Sequence, residues 1–183
     1  MDTRLTSIDE LDRMPVTEFM TAVAPLFEGA PRFLGRLAAA RPFGSVEALF
    51  DRARTIAAAM PPDEQVELID AHPRLGAPPS SVSARSFVEQ GYDRQTAAAQ
   101  KAGEAERERV GAELDRLNAA YEARFGFRYC VFVAGRPRAA LIAGMEAALV
   151  ADREAEIRRA LATVVDIAAD RWATASARRT DRP

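Results

Sequence analysis

Three short stretches hold side chains whose chemistry goes beyond packing. The run DAHPRLG, residues 70–76, contains His72, the only histidine in 183 residues. An imidazole titrates near neutral pH and is the usual proton carrier in catalysis. Pro73 restricts its predecessor to extended backbone, so a preceding helix must end by His72 and hold the ring at its terminus. The run SFVEQ, residues 86–90, sets Ser86 and Glu89 one helical turn apart, with Gln90 alongside. A hydroxyl, a carboxylate and an amide can then point together near the loop that begins at His72. The third place is Arg171. At 100° per residue, Ile157, Leu161, Val164, Ala168 and Trp172 form an apolar stripe, and Arg171 lies within about 40° of it. A guanidinium on the core side needs an anion or several acceptors. Structural uses exist for all three: a loop histidine, a Ser-x-x-Glu capping box, and an internal or snorkelling arginine.

Composition narrows the classes. Lys and Arg number 25 against 27 acids, a formal net charge of -2. That near-balance argues against nucleic-acid or membrane-surface binding. One cysteine, Cys130, allows no internal disulfide, and one Cys with one His cannot make a four-ligand zinc site. A carboxylate-only metal site is not excluded by counting, but nothing points to one, and no metal is expected. Cys130 sits in an apolar run and reads as a small buried hydrophobe. GRPR, residues 135–138, lacks the glycine spacing of a phosphate loop, and EAERER reads as a solvated helix face. The polar start MDTRLTSIDELDR has no apolar signal core, and no stretch reaches 18 apolar residues. A cytoplasmic protein is expected.

The elements that must position these residues are helical. Ala and Arg abound, and both favour helix. The pattern predicts a helix capped by Thr17 and running to Phe27, one from Pro31 to Ala40, one from Ser45 to Met60 that Pro61-Pro62 ends, and one from Asp63 to Ala71 that delivers His72. HPRLGAPPSSVSARS then reads as a loop. A long helix is predicted from Arg94 to Phe125, stopped by Gly126. FRYCVFV, residues 127–133, has β-type composition but no partner strand, and is expected as an extended strap. Gly135-Arg136-Pro137 opens a helix through Leu149, and Asp152 caps the last one, from Arg153 to Thr174. The expected architecture is all-α, one domain over residues 1–183 with seven to eight helices, and with 1–12 and 175–183 poorly ordered.

DAHPRLG, SFVEQGY, LNAAYEARFGFRYCVFVAGRPR and ADREAEIRRALATVVDIAADRW resemble, in that order, the motifs of the OHCU decarboxylase family. The resemblance covers about Glu64 to Trp172. It implies an all-α, cofactor-free and commonly dimeric enzyme that decarboxylates 2-oxo-4-hydroxy-4-carboxy-5-ureidoimidazoline to (S)-allantoin in urate degradation. Carried over residue by residue, it implies His72 as the catalytic histidine and Glu89 as its carboxylate partner. Pro73, Ser86, Phe87, Val88 and Gln90 would meet the substrate. Tyr129, Cys130, Val131, Phe132 and Val133 would offer backbone groups to its amides, and Arg171 would be the anchoring cation. The chain departs from the family where Arg128 replaces the proline of FGFP, where Gly91-Tyr92 follows Glu-Gln, and in a short loop after His72. A diverged relative acting on another ureido or imidazole carboxylate, or a helical dimerisation module without activity, are the alternatives.

Overall fold

Capping residues and prolines divide the chain into short helices. In the computed structural model, residues 7–77, 79–90 and 103–180 are described. Among them the regular elements are α1 (Ile8–Arg13), α2 (Val16–Val23), α3 (Pro31–Ala39), α4 (Val46–Ala59), α5 (Pro62–Asp70), α6 (Ala84–Glu89), α7 (Glu104–Phe125), α8 (Ala139–Ala148) and α9 (Arg153–Thr180), with short 3-10 turns at Ala24–Leu26 and Pro79–Ser81. No strand occurs among the described residues, so the fold is all-α. None of these helices is long and apolar enough to cross a membrane.

Two compact units are present, residues 1–71 with 161–183, and residues 72–160. In the first, α3 packs against α2, α4 and α5. Its core holds Phe19, Leu26, Phe27, Phe33, Leu37, Leu49 and Leu68. Burying such side chains stabilises each by roughly 1.5–3 kcal/mol, which outweighs the weak propensity of helices this short. Arg32 pairs with Asp63 and Glu67, and Arg36 forks onto Glu64 at 2.6 and 2.9 Å, both across α3 and α5. In the second unit α7 packs against α8. Leu114, Leu117, Tyr121 and Phe125 supply its buried stripe. Helix α9 contributes its first turns, to Ala160, to the second unit and the remainder to the first.

Several boundaries differ from expectation for identifiable reasons. Helix α2 is preceded by Pro15 rather than capped by Thr17, and its last turn tightens to 3-10 before Phe27. Helix α1 occupies residues expected to be poorly ordered. Ser7 and Glu10 form a reciprocal capping box, and Leu11 is buried. Helix α9 continues to Thr180, past the expected end at Thr174. The expected start of the long helix at Arg94 lies outside the described residues. Ser45 caps α4 as expected, accepting from Ala48 N at 3.1 Å. Asp152 caps α9 through the amides of Glu154 and Ala155. Gly126 ends α7 at φ +77°, left-handed backbone that glycine adopts without steric cost.

Candidate active site

Helix α5 delivers His72 as the sequence requires. Pro62 fits the first turn, where its missing N–H costs nothing, and Ala71 is the C-cap. His72 follows, only 5% exposed. The residues after it form no regular element, so their backbone groups need partners from elsewhere. Side chains from three other segments of the second unit provide them. Arg128 Nη1 donates to His72 O at 3.1 Å. Gln90 Nε2 donates to Arg74 O at 3.3 Å, while Gln90 Oε1 accepts from Gly76 N at 3.1 Å. Asn118 Nδ2 donates to Leu75 O at 2.9 Å. The Arg74 side chain itself forks onto Glu122 at 2.6 and 2.9 Å. Gly76 has φ +84°, left-handed backbone that strains other residues, and a Cβ there would stand a tight 3.3 Å from Leu114 Cδ1 on α7.

The SFVEQ run belongs to α6, but its serine is not the cap. Ser83 is the N-cap, accepting from Ser86 N at 3.1 Å. The capping-box reading of Ser86 and Glu89 is therefore overturned: Ser86 stands inside the helix and is 2% exposed. Phe87 and Glu89 are half-buried, Val88 is exposed and Gln90, the C-cap, is buried. Through Gln90 the end of α6 is tied to the His-Pro turn, which brings the first two motifs together.

Residues 127–133 form neither helix nor strand. Tyr129, Cys130 and Val133 are buried, and Val131 and Phe132 are half-buried. Three of their carbonyls are held by arginines: Cys130 O by Arg159 Nη1 at 2.9 Å, Phe132 O by Arg136 Nη2 at 2.6 Å, and Val133 O by Arg136 Nε at 3.1 Å. Beneath this segment Arg159 meets Glu156 through several N–H bonds of 2.6 to 3.0 Å, and Tyr121 donates to Glu156 Oε1 at 2.5 Å. Glu156 is only 2% exposed, so its charge depends on these donors. Burial, then the hydrogen bond to Glu156, pushes the Tyr121 phenol far above its usual range. Burial also raises Tyr129, opposed by the charge of Arg159. Burial alone would lower Arg159, but Glu156 holds it above its ordinary value.

Arg171 belongs to the first unit. It is 4% exposed, and its Nη2 meets Glu28 Oε1 at 2.8 Å while Nη1 donates to Pro25 O and Leu26 O at 3.2 and 3.1 Å. The internal ion pair foreseen for a core-facing arginine is thus present. The second unit gathers His72, Pro73, Ser86 to Gln90 and Tyr129 to Val133. Among the described residues no group of His, Cys, Asp or Glu side chains is placed to hold a metal ion.

Sequence reasoning did not single out Asn118, Glu122, Glu156 or Arg159. Asn118 and Glu156 carried a signal. Each is a polar residue at helical spacing within a buried stripe, the argument that exposed Arg171.

Comparison with known proteins identifies the family. The family profile for OHCU decarboxylase matches residues 12–173. The uric acid degradation bifunctional protein PucL of Bacillus subtilis is 32% identical over 91% of the chain, and the chain spans about a third of that relative's length. The 2-oxo-4-hydroxy-4-carboxy-5-ureidoimidazoline decarboxylase of Haloferax volcanii is 27% identical, with 88% of this chain and 91% of the relative aligned. The crystal structure of (S)-allantoin synthase superposes with a TM-score of 0.64 at 20% identity, covering 93% of this chain and 53% of that one. The structure of OHCU decarboxylase in the presence of (S)-allantoin gives 0.61 at 19% identity, covering 82% and 94%. The profile runs without a break from α1 into the last turns of α9, and the chain belongs to the OHCU decarboxylase family.

Proposed function

We propose that the protein is a cofactor-independent carboxy-lyase converting 2-oxo-4-hydroxy-4-carboxy-5-ureidoimidazoline to (S)-allantoin in urate degradation, with residues 1–183 acting as one domain. One observation carries the reading. The only histidine is buried in a turn whose carbonyls and amides are gripped at residues 72, 74, 75 and 76 by side chains of three other segments. That fixes the backbone carrying the imidazole before substrate arrives, which favours oriented proton transfer.

The substrate has a carboxylate and a hydroxyl on one ring carbon, beside an imine-like C–N unit. When the C–C bond to the carboxylate breaks, CO2 leaves, the electron pair passes into that unit and its nitrogen takes up a proton. Loss of the hydroxyl proton gives the carbonyl, and a proton added to one face of the ring sets the (S) configuration. We assign proton transfer to His72, with Glu89 as its carboxylate partner. Pro73, Ser86, Phe87, Val88 and Gln90 form the substrate wall in this proposal. An amide has two donors and two acceptor sites, so holding the turn and meeting substrate are compatible for Gln90. Tyr129 to Val133 offer backbone groups to the ring and ureido amides, and Arg171 is the anchoring cation. A homodimer in the cytoplasm completes the proposal on the family resemblance, and size-exclusion chromatography with light scattering checks the dimer.

A second reading, a related ureido or imidazole carboxylate as substrate, is favoured by Arg128. It stands where the family pattern has proline and touches the carbonyl of His72. The two readings share the test of the machinery, which is His72→Asn. Substrate is generated from urate with urate oxidase and hydroxyisourate hydrolase, and its decay is followed by absorbance. The variant is expected to lose about 100- to 10,000-fold of the acceleration with its melting temperature unchanged. A variant that keeps the wild-type rate contradicts His72 as the proton carrier.

A further inference from the structure

Among the polar side chains that fix the His-Pro turn, Asn118 is the most deeply buried. It lies on α7 between Leu114, Leu117 and Tyr121, and is 1% exposed. Its Nδ2 donates to Leu75 O at 2.9 Å, yet its buried Oδ1 meets no donor among the described residues. A buried acceptor without a partner costs roughly 1–3 kcal/mol. At this place in the stripe a leucine would avoid that cost, so packing within α7 alone does not account for the amide.

The geometry of the turn does. Leu75 is three residues past His72, and Pro73 between them removes one donor and one rotatable φ. Gly76 presses on Leu114, so the turn already lies against α7. Without a donor rising from α7, the Leu75 carbonyl would face an apolar stripe unpaired, and the turn would lift from the helix to find water. Gln90 holds the peptides on either side of Leu75, but it hangs from α6, a helix of six residues. Asn118 hangs from the middle of a helix of 22 residues. It is the clamp on the most rigid support.

We propose that Asn118 is a positioning residue, fixing the His72 imidazole by anchoring the turn to α7 through Leu75 O. This deepens the proposed decarboxylase reading and rests on His72 as its proton carrier. A displacement of about 1 Å at a catalytic group can cost on the order of 100-fold in rate, even when its cause is remote.

The chain offers a direct probe, because one histidine gives one set of imidazole signals. The ring is recorded by 15N–1H correlation in full-length, tag-free wild type, Asn118→Leu and Asn118→Asp. Leucine removes donor and acceptor together; aspartate keeps the shape and, recorded at a pH where its carboxyl is ionised, removes the donor. In both variants the ring signals are expected to broaden or split and the midpoint of the ring titration to move. In the decarboxylase assay kcat is expected to fall about 10- to 100-fold with KM nearly unchanged. For Asn118→Leu the melting temperature should stay within about 4 °C of wild type, since losing the unmet Oδ1 offsets the loss at Leu75. A folded variant with wild-type ring signals and titration overturns the proposal, whatever its rate. Loss of folding in both variants also overturns it, placing Asn118 among residues needed for the core. A wild type that does not turn over substrate refutes the decarboxylase reading, while the ring spectra still decide whether Asn118 positions His72.

Discussion

Two irregular turns in this molecule are fixed by borrowed hydrogen bonds, one in each unit. In the first unit, the turn after α3 runs through Arg41, Pro42, Phe43 and Gly44. Asp12 accepts from Phe43 N at 2.9 and 3.0 Å and from Gly44 N at 2.8 Å, and Arg41 reaches back to the carbonyls of Ala38, Leu11 and Met14. In the second unit, Arg128, Gln90 and Asn118 hold the turn of residues 72–76. Both turns solve the same problem, which is pairing backbone groups that no helix satisfies. They differ in what they carry. The first holds Pro42, Phe43 and Gly44, with no side chain able to move a proton. The second holds the only imidazole. Fixing a turn stabilises a fold in the one case, and in the other, on the proposed reading, it also positions the proton carrier.

Breaking bonds in the two units should therefore have different signatures. The largest effect on stability is expected at Glu156, under the segment 127–133. Glu156→Leu leaves the Tyr121 hydroxyl and the Arg159 guanidinium without their shared acceptor, at a cost of about 3 kcal/mol after allowing for the partial exposure of Arg159. Thermal unfolding should fall by about 6–12 °C. Activity should fall as well, because Arg159 also positions Cys130 O. An unchanged melting temperature would remove Glu156 from the core of the account. Next is Asp12→Ala, expected to cost about 1–2 kcal/mol by stranding two turn amides. Here kcat per folded molecule should match wild type; a drop in kcat with unchanged stability would erase the distinction between the turns.

The smallest effect is alkaline. Tyr121 has its pKa raised on folding, so the folded state holds that proton more tightly than the unfolded state. Its contribution is fully present below the ordinary phenol pKa of about 10 and is lost as pH rises above it. Denaturant midpoints measured from pH 8 to 11 should fall more steeply in wild type than in Tyr121→Phe. Parallel curves would show that this phenol does not drive the loss.

Much of the fold was legible because its punctuation is chemical. Ser45, Asp152 and Gly126 are local signals, and each does what its type implies. Helix α1 also had a signal, Ser7 with Glu10, but six residues give too little periodicity to weigh against a polar composition. Ser86 shows the opposite failure. Its spacing to Glu89 fits a capping box, yet Ser83 lies three residues earlier and takes the cap, leaving Ser86 buried. For the candidate site, His72 and the SFVEQ run were singled out by residue type and spacing, and the order of the motifs gave them their weight. Their link through Gln90 was not, since it joins a side chain to backbone atoms 14 and 16 residues away. Backbone acceptors have no letter in a sequence. That is also why Asn118 passed unnoticed, although an amide in an apolar stripe announces a partner.

The central claim is that this chain makes one enantiomer by proton delivery at a fixed imidazole, and circular dichroism of the product stream tests it most directly. With urate, urate oxidase and hydroxyisourate hydrolase supplying substrate, wild type should build the optical signal of (S)-allantoin well ahead of the spontaneous reaction, which gives racemate and no signal. Optically silent product formed at the background rate would contradict the claim, leaving the family fold in place with a different substrate or none.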